Sequence, residues 1–476
     1  MKKLLMMIGA AAIAGVAVAD NLYWTGATDG TWSVAGNWWN SSRSVVAGNP
    51  PNGKNDQYGH SAYFDQTLAG DKSKIVRRTV SFASAERMRG SVYVYDGTFA
   101  DPIVFSADDD FGLSVTNKDA EFQIGKSGQA GWLKIQGGTF ASAQPLQVNN
   151  GGWIVDGATF STTNAICVGN LENENGTACI ISGTVNVNGI SKETSFIIGN
   201  AANSSGTVTN VNGTIVSDYN FTMCNADNTT AYYCQEGGSL TAGKNQRFYV
   251  GNNSSSKACF ELRGGTVEAK TVIYMGYDSQ FLLNGGTVAA TSVGTVENSP
   301  TIHKLFLFDG GTFKAKNVNP FSNANNAFID VKVGINGGTI DTNEKAITVA
   351  DAFESAVEEG ADGGMKYVGG GSANITGAIG YTGPTTVEIG TLVTIADRAN
   401  VFGEGKGGLR CSLPSPKPEG DTYTVILTTT GEDDFTASDL TKCAAAEGAG
   451  GISFRISGDG KSIMAKRSNG LIISFH

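Results

Sequence analysis

The chain has 476 residues, among them 64 glycines, 10 prolines and only 3 histidines, and its formal net charge is −10. The acidic residues are spread along the chain and basic clusters are missing, which argues against nucleic acid or an anionic membrane surface as a partner. Abundant Gly, Asn, Thr, Ser and Val disfavours helices and favours short strands joined by tight turns.

The N-terminal segment, residues 1–19, has the pattern of a cleavable signal peptide. Lys2 and Lys3 form a short positive region, residues 4–18 are apolar or small, and residues 17–19 read Ala-Val-Ala, as signal peptidase requires. The apolar stretch is short for a membrane span and Asp20 follows it, so an uncleaved membrane anchor is the weaker interpretation. We predict export to the extracellular space or the cell surface, with a mature chain that starts near Asp20.

Residues 20–75 are predicted to form a tryptophan-rich N-terminal cap. Its four tryptophans are Trp24, Trp32, Trp38 and Trp39. Aromatic faces stack on sugar rings, so these side chains could form a carbohydrate platform. Their alternation between strand and turn positions instead favours a packed aromatic cap that covers the first coil of a repetitive structure.

An internal repeat occupies the middle of the chain. Its clearest element is Gly-Gly-Thr-apolar or a close variant, which occurs at residues 96–99, 137–140, 157–160, 183–185, 206–208, 237–240, 264–267, 285–288, 310–313 and 337–340. In the later repeats the threonines are Thr266, Thr287, Thr312 and Thr339, so the interval between them stays between about 20 and 30 positions. Such spacing is typical of one solenoid turn per repeat.

A second pattern marks another strand of each coil. Short apolar strands end on glycine at residues 122–125, 166–169, 196–199, 248–251 and 273–276. In residues 260–263, period-two alternation places Leu262 on the buried face and Glu261 outside. One coil cannot bury its apolar face alone, so we predict an all-β fold with a stacked β-solenoid over residues 76–345, about ten coils and about 50 Å long.

The seven cysteines are too few for a disulfide scaffold in a chain of this length. Local bridges across a coil are one interpretation, and small buried residues are the other. The candidate pairs are Cys167 with Cys179, Cys224 with Cys234, and Cys411 with Cys443, which would leave Cys259 unpaired. No cysteine spacing resembles a zinc site.

The sequence changes character after the repeats. Residues 349–359 carry apolar side chains at helical spacing and precede Gly360, which predicts a short helix within residues 346–400, next to a further repeat coil. Residues 401–476 are predicted to form a small C-terminal β cap. We expect its antiparallel strands at residues 423–427, 452–456 and 462–465, with one or two helical turns within residues 438–446.

Two segments resemble a known family. Trp-Thr-Gly at 24–26, Gly-Thr-Trp at 30–32 and Asn-Trp at 37–38 resemble the start of many autotransporter-like passenger proteins. Residues 366–392 resemble the autotransporter-associated β-strand repeat, most specifically in Tyr-Thr-Gly-Pro-Thr-Thr-Val at 381–387. The resemblance implies a right-handed parallel β-helix that is displayed at the cell surface or released.

The end of the chain departs from that family. Autotransporters usually finish in a large outer-membrane barrel, whereas the segment that follows Leu392 here, positions 393–476, is too short for a usual translocator. We therefore expect a protein that reuses these repeats without a translocator barrel of its own. Its association with an outer membrane or cell surface would then be peripheral.

Catalysis receives little support from the sequence. Polysaccharide lyases and hydrolases share the parallel β-helix, but they need clustered carboxylates with an Arg, Lys or His base on one wall. The three histidines, His60, His303 and His476, lie far apart in the chain. The aspartates at 108–110 could bind Ca²⁺, but a contiguous run converges poorly on an ion, which favours a solvated loop.

The sequence therefore assigns no catalytic, metal-binding or cofactor-binding residue. The favoured function is a secreted or cell-surface structural and adhesive protein, whose polar loops bind glycan, extracellular matrix or another cell. The alternative is a polysaccharide-active β-helix enzyme, either a lyase or a hydrolase.

Overall fold

A computed structural model of the chain describes residues 21–40, 51, 59–65, 75–108, 111–117, 119–188, 195–244, 246–296, 304–321, 329–415 and 422–467. The predicted signal peptide, residues 1–19, lies outside these ranges. The described residues form long parallel sheets stacked into a parallel β-helix, which confirms the predicted fold class. Their three helices are short, namely Ala35–Asn37, Ala399–Phe402 and Ala437–Leu440, and none is long and apolar enough to cross a membrane.

Four sheets, here named A to D, form the walls of the shaft. Sheet A contains, in spatial order, Trp38–Trp39, Asn21–Trp24, Ser61–Phe64, Val92–Val94, Phe122–Ile124, Leu146–Val148, Ile166–Val168, Phe196–Ile198, Phe221–Met223, Phe248–Val250, Val272–Met275 and Ser292–Thr295. Sheet B contains Thr79–Phe82, Ile103–Ala107, Gly131–Gln136, Gly151–Asp156, Asn175–Ile180, Ser205–Asn210, Thr230–Gln235, Lys257–Leu262, Ser279–Leu283, Lys304–Phe308, Ile329–Val333, Phe353–Ser355 and Ile379–Gly380.

The third wall and the C-terminal part of the first complete the shaft. Sheet C contains Ala85–Met88, Gly112–Val115, Thr139–Ser142, Thr159–Thr162, Thr184–Val187, Thr214–Ser217, Ser239–Ala242, Thr266–Ala269, Thr287–Ala290, Thr312–Ala315, Gly338–Asp341, Met365–Val368, Thr385–Glu388, Leu409–Ser412 and Cys443–Ala445. Sheet D contains Ala346–Val349, Ser372–Ile375, Leu392–Ile395, Thr424–Thr429, Ser462–Arg467 and Ile452–Ile456. Phe321 pairs in parallel with both Val293 and Val349, so sheet D continues the wall begun by sheet A.

Each coil passes through the three walls in turn. Leu146–Val148 lies in sheet A, Gly151–Asp156 in sheet B and Thr159–Thr162 in sheet C, after which the chain re-enters sheet A with Ile166 beside Leu146. A coil thus has three strands, where the sequence predicted at least two. Glycines precede most sheet C strands and occupy the corner between walls B and C, as Gly264 and Gly265 do before Thr266–Ala269. Two of the predicted Gly-Thr elements lie elsewhere, since residues 206–208 are inside the sheet B strand Ser205–Asn210 and residues 96–99 lie between walls A and B.

The repeat spacing predicted from the sequence is the coil length. Thr266, Thr287, Thr312 and Thr339 are successive register partners in sheet C. Coils of unequal length keep this register because extra residues are accommodated between the strands.

The shaft is longer than predicted. Sheet C has 15 strands, which at about 4.8 Å per step corresponds to roughly 70 Å, compared with about ten coils and about 50 Å expected. The added coils lie beyond residue 345, where sheets B and C continue without a break in their parallel pairing.

Alternate side chains of every wall fill the interior. Phe260, Phe281 and Phe306 occupy one inward register position of sheet B, and their ring centroids lie 4.8 and 5.0 Å apart with near-parallel planes. Leu262 is likewise fully buried, as the alternation predicted. Glu261 faces outward, but its carboxylate accepts hydrogen bonds from Tyr232, Arg263 and Asn284 and is largely covered.

Three of the four N-terminal tryptophans form the packed cap favoured by their spacing, whereas Trp39 is only partly buried. Trp24, Trp32 and Trp38 are each at most 1% exposed, and the Trp38 ring makes edge contacts at 5.1 and 4.9 Å with the other two. Each indole N–H donates to a backbone carbonyl, those of Arg77, Pro51 and Trp32, respectively. These buried rings are therefore not a carbohydrate platform.

The prediction of a helix over residues 349–359 is wrong. This segment begins at the end of the sheet D strand Ala346–Val349 and contains the sheet B strand Phe353–Ser355. Val349 and Phe353 are both buried, but they face the core from two different walls with a corner between them. Their four-residue spacing reflects that corner and not a helical turn.

A buried carboxylate organises the Tyr-Thr-Gly-Pro segment. Asp362 accepts backbone hydrogen bonds from Gly364, Thr382 and Gly383 at 2.7–2.9 Å. Burial acts to raise its pKa, but these hydrogen bonds outweigh burial and hold the pKa of Asp362 below the ordinary 3.8. The Tyr381 hydroxyl, also buried, is 2.8 Å from the Thr385 hydroxyl and fixes the other side of the turn.

The three strands predicted for the C-terminal end are present, but the predicted cap region also contains Leu409–Ser412 and Cys443–Ala445, which continue the wall of sheet C. Thr424–Thr429 pairs antiparallel with Ser462–Arg467, which in turn pairs antiparallel with Ile452–Ile456. The helix Ala437–Leu440 overlaps the predicted helical turns. The Asp439 carboxylate accepts a hydrogen bond from the backbone N–H of the N-cap residue Thr436, and it also accepts one from the Arg398 guanidinium at 2.8 Å.

Of the two interpretations of the cysteines, the disulfide bridges are not formed, and all seven cysteines are free thiols. Cys167 and Cys179 face outward from different walls, A and B. Cys224 points into the core from a corner, whereas Cys234 faces outward from sheet B. In sheet C, Cys443 is paired with Leu409 instead of Cys411, and such a diagonal separation of about 7–8 Å exceeds the reach of a disulfide.

Phe281 and its strand neighbour Gln280 provide a test of the inward and outward faces. Phe281→Ala removes a ring stacked between two others, and we expect it to lower the free energy of unfolding by about 3–5 kcal/mol. Gln280→Ala, on the exposed face of the same strand, should change it by less than about 0.5 kcal/mol. Urea denaturation followed by circular dichroism measures both, and equal losses would contradict the assigned register.

Asp362 predicts a pH-dependent contribution to stability. Because its pKa is lowered in the folded state, its stabilisation is complete well above pH 3.8 and is lost as the pH falls through the folded-state pKa. At pH 7, Asp362→Asn should cost about 1–3 kcal/mol, since an amide cannot accept every one of these hydrogen bonds. Thermal unfolding from pH 7 to pH 2 should show the two proteins converging below pH 3.8; a constant difference would count against the carboxylate.

Candidate functional site

A groove of about 600 Å³ runs over the outer face of sheet A. Its floor is the row of outward side chains in successive strands, and its two sides are the corners that precede and follow those strands. The lining residues are Pro145, Gln147, Asn164, Ala165, Cys167, Asn170, Ser195, Ile197, Asn200, Asn220, Thr222, Asn225, Tyr249 and Asn252.

One side of the groove is a ladder of asparagine amides. The amide nitrogen of Asn225 donates to the side-chain oxygen of Asn200 at 2.9 Å, and that of Asn200 donates to Asn170 at 2.6 Å. Asn170 donates in turn to Asn149 at 3.3 Å. Every bond points toward the N-terminal end of the shaft, so the amide dipoles of this amide ladder are aligned and reinforce one another.

The corners of the coils explain why asparagine occupies these positions. Asn170 and Asn200 directly follow Gly169 and Gly199, whose φ angles are +74° and +73°. At Gly169 a Cβ atom would lie 2.3 Å from the Ser205 carbonyl oxygen, so this corner requires glycine. The positive φ angle of each glycine turns the chain from wall A toward wall B and places the side chain of the following asparagine at the rim of the groove.

The amide ladder retains hydrogen-bonding capacity. Within the described residues, Asn170 and Asn225 each use one of two N–H groups in the amide ladder. Each ladder carbonyl oxygen that accepts one bond has a second lone pair. The rim of the groove can therefore both donate to and accept from a hydroxyl-bearing ligand.

The floor of the groove is apolar at its centre. Ala165, Cys167 and Ile197 form a small buried cluster that is separate from the interior of the shaft. Burial raises the pKa of Cys167 to about 12, so its thiol is neutral at physiological pH. The Asn200 amide lies 3.7 Å from the Cys167 sulfur and connects the floor to the rim.

An aromatic pair closes the C-terminal end of the groove. Tyr249 lines the groove and lies 5.5 Å from Tyr274, its register partner in the next coil. The Arg247 guanidinium donates to the Tyr249 hydroxyl at 2.8 Å and lies 5.2 Å from the Tyr274 ring centroid. This arrangement fixes the orientation of both rings.

The chemistry available in the groove is hydrogen bonding and apolar contact. None of the described residues that line it is Asp, Glu, His, Lys or Arg, so the lining supplies no carboxylate pair for glycoside hydrolysis. Elsewhere in the described part of the chain, no group of three His, Cys, Asp or Glu side chains is placed to hold a metal ion.

The acidic and basic residues considered from the sequence lie elsewhere. The carbonyl oxygen of Asp108, directly after the sheet B strand Ile103–Ala107, accepts a hydrogen bond from the Phe111 N–H at 2.9 Å. Asp109 and Asp110 lie outside the described residues, as do His303 and His476. His60 immediately precedes the sheet A strand Ser61–Phe64, away from the groove.

Sequence reasoning placed binding in the projecting loops and missed the groove. A signal was present, because an asparagine lies two residues after the end of a sheet A strand at positions 170, 200, 225 and 252. Its meaning depends on the register of the coils, which brings asparagines of successive coils, far apart in the chain, into direct contact.

Comparison with known proteins gives no relative for this chain: no family model matches it, and neither a curated protein nor a solved structure is significantly similar.

Proposed function

We propose that the chain is a secreted or cell-surface structural and adhesive β-solenoid that binds glycans through the groove on sheet A. The observation that carries this proposal is the pairing of an uncharged amide rim with an apolar floor in one groove. Sugars present both kinds of surface, because their rings carry hydroxyl groups at the edge and C–H groups on the faces. An acidic chain with an uncharged groove favours neutral glycans over anionic ones.

The shape of the molecule supports an adhesive role. A shaft of stacked coils holds its binding face rigidly, so little conformational entropy is lost when a ligand is bound. The resemblance of residues 24–38 and 366–392 to autotransporter-like passengers, together with the predicted signal peptide, supports display outside the cell. Peripheral association with the outer membrane or cell surface, and contact with extracellular matrix, belong to the same proposal.

Removing one rung of the amide ladder should weaken glycan binding. An array of neutral and acidic polysaccharides identifies a ligand, and calorimetry then compares the wild type with Asn200→Leu. Loss of one or two hydrogen bonds of about 0.5–1.5 kcal/mol each predicts roughly tenfold weaker binding. Asn186→Leu, on the outer face of sheet C, is the matched control and should bind like the wild type.

The result also separates binding from turnover. Unchanged affinity in the Asn200→Leu variant would show that the glycan binds outside the groove. Release of shorter products from the same polysaccharides, abolished by mutation of a wall carboxylate, would instead support the alternative of a lyase or hydrolase.

Export makes a second prediction for the full-length protein. Expressed in a Gram-negative host, the chain should be recovered outside the cytoplasm without its signal peptide, because the Ala-Val-Ala site is cleaved before Asp20. Fractionation followed by intact-mass measurement tests this. A variant with Ala17→Leu and Ala19→Leu should retain the signal peptide, and a cytoplasmic wild-type protein with its N-terminus intact would refute export.

A further inference from the structure

The groove belongs to a longer row of outward side chains on sheet A. In register order, this row, here named the sheet A track, contains Tyr23, Tyr63, Tyr93, Gln123, Gln147, Cys167, Ile197, Thr222, Tyr249 and Tyr274. Tyrosines occupy both ends, and polar or small apolar side chains lie between them.

The N-terminal tyrosines form a stack of partly exposed rings. Tyr63 lies 5.2 Å from Tyr23 and 4.6 Å from Tyr93, centroid to centroid. Burial raises the pKa of Tyr63 to about 12, so its phenol remains neutral and able to donate a hydrogen bond. The Tyr93 hydroxyl donates to Glu121 at 2.8 Å, which anchors the last ring of the stack.

The distance between the two aromatic ends is set by the coils. Six register steps lead from Tyr93 through Gln123, Gln147, Cys167, Ile197 and Thr222 to Tyr249. At about 4.8 Å per step this is roughly 30 Å, measured along the shaft axis. The distance between neighbouring residues of the sheet A track is therefore close to the length that one sugar unit adds to an extended polysaccharide.

We propose that the sheet A track binds a single uncharged linear polysaccharide laid parallel to the shaft, across about six rings between Tyr93 and Tyr249. This inference rests on the proposed glycan-binding function and adds the class, orientation and minimum length of the ligand. Tyrosine side chains at the two ends supply apolar ring edges and hydroxyl groups, and the amide ladder supplies hydrogen bonds to hydroxyls between them. The uncharged centre disfavours uronic-acid polymers and sulfated chains.

Chain length is the variable that tests the proposal. Calorimetric titrations use cello-, manno- and xylo-oligosaccharides of two to eight sugars, with oligogalacturonate as the anionic counterpart. For the neutral series that binds, affinity should rise with each added sugar up to about six and then level off, because every ring up to that length gains new contacts on the sheet A track.

Two variants locate the ends of the bound chain. Tyr249→Ala should weaken binding of both short and long oligosaccharides about fivefold, since Tyr249 borders the groove itself. Tyr93→Ala should weaken only chains of about six or more sugars, because shorter chains bound at Tyr249 do not reach it. Tyr232→Ala removes an outward tyrosine from sheet B and should leave all affinities unchanged, with circular dichroism confirming that every variant is folded.

Four outcomes would overturn the inference. Affinity that is independent of length, or a Tyr93→Ala effect on short and long chains alike, would refute the extended track while leaving glycan binding by the groove intact. Preference for oligogalacturonate would refute the uncharged ligand. Absence of binding to any glycan, together with a concentration-dependent dimer lost in Tyr249→Ala, would assign the face to a second copy of the chain and refute the proposed function as well.

Discussion

In-register parallel pairing between coils holds this molecule together, because a single coil exposes both its apolar side chains and the hydrogen-bonding edges of its strands. Each strand finds its partners only in the coils before and after it, so stability is transmitted from neighbour to neighbour along the shaft. The register also places equivalent residues of successive coils side by side. Inside, this produces the phenylalanine stack of sheet B, and outside it produces the amide ladder and the sheet A track.

The corners allow that register to survive coils of different length. Residues with positive φ, such as Gly169, Gly199 and Cys224, turn the chain between walls while the strands keep their pairing. Cys224 shows that a side chain is tolerated where it can point into the core. The same corners set the position of the asparagines that follow them, so the geometry that closes a coil also builds the rim of the groove.

Much of the fold could be predicted from the sequence, and the groove on sheet A could not. In most repeats Gly-Gly-Thr marks a corner and the start of a sheet C strand within one short segment, so periodicity locates it, although the elements at 96–99 and 206–208 belong to other parts of the coil. Alternation correctly separates Leu262 from Glu261. The prediction of a helix around Phe353 was wrong because the sequence pattern there spans two strands. The corner between the two walls places their buried residues at a spacing that resembles a helical turn. The amide ladder depends on contacts between successive coils, and the free cysteines depend on which wall each one faces; neither relation is visible before the coils are aligned.

The single reversed strand at the N-terminal end bears on how copies of the molecule meet. The unpaired edge of the last parallel coil can form hydrogen bonds with the first coil of another molecule, and repeated pairing of this kind builds fibrils. At the tryptophan cap, Trp38–Trp39 runs antiparallel to Asn21–Trp24 and occupies the terminal position of sheet A. The backbone direction offered there differs from that of the rest of the wall, and bulky indole rings fill the space beneath it. A second copy that approached this end of sheet A would therefore meet a strand of the opposite direction, so the parallel register of the wall is not continued there.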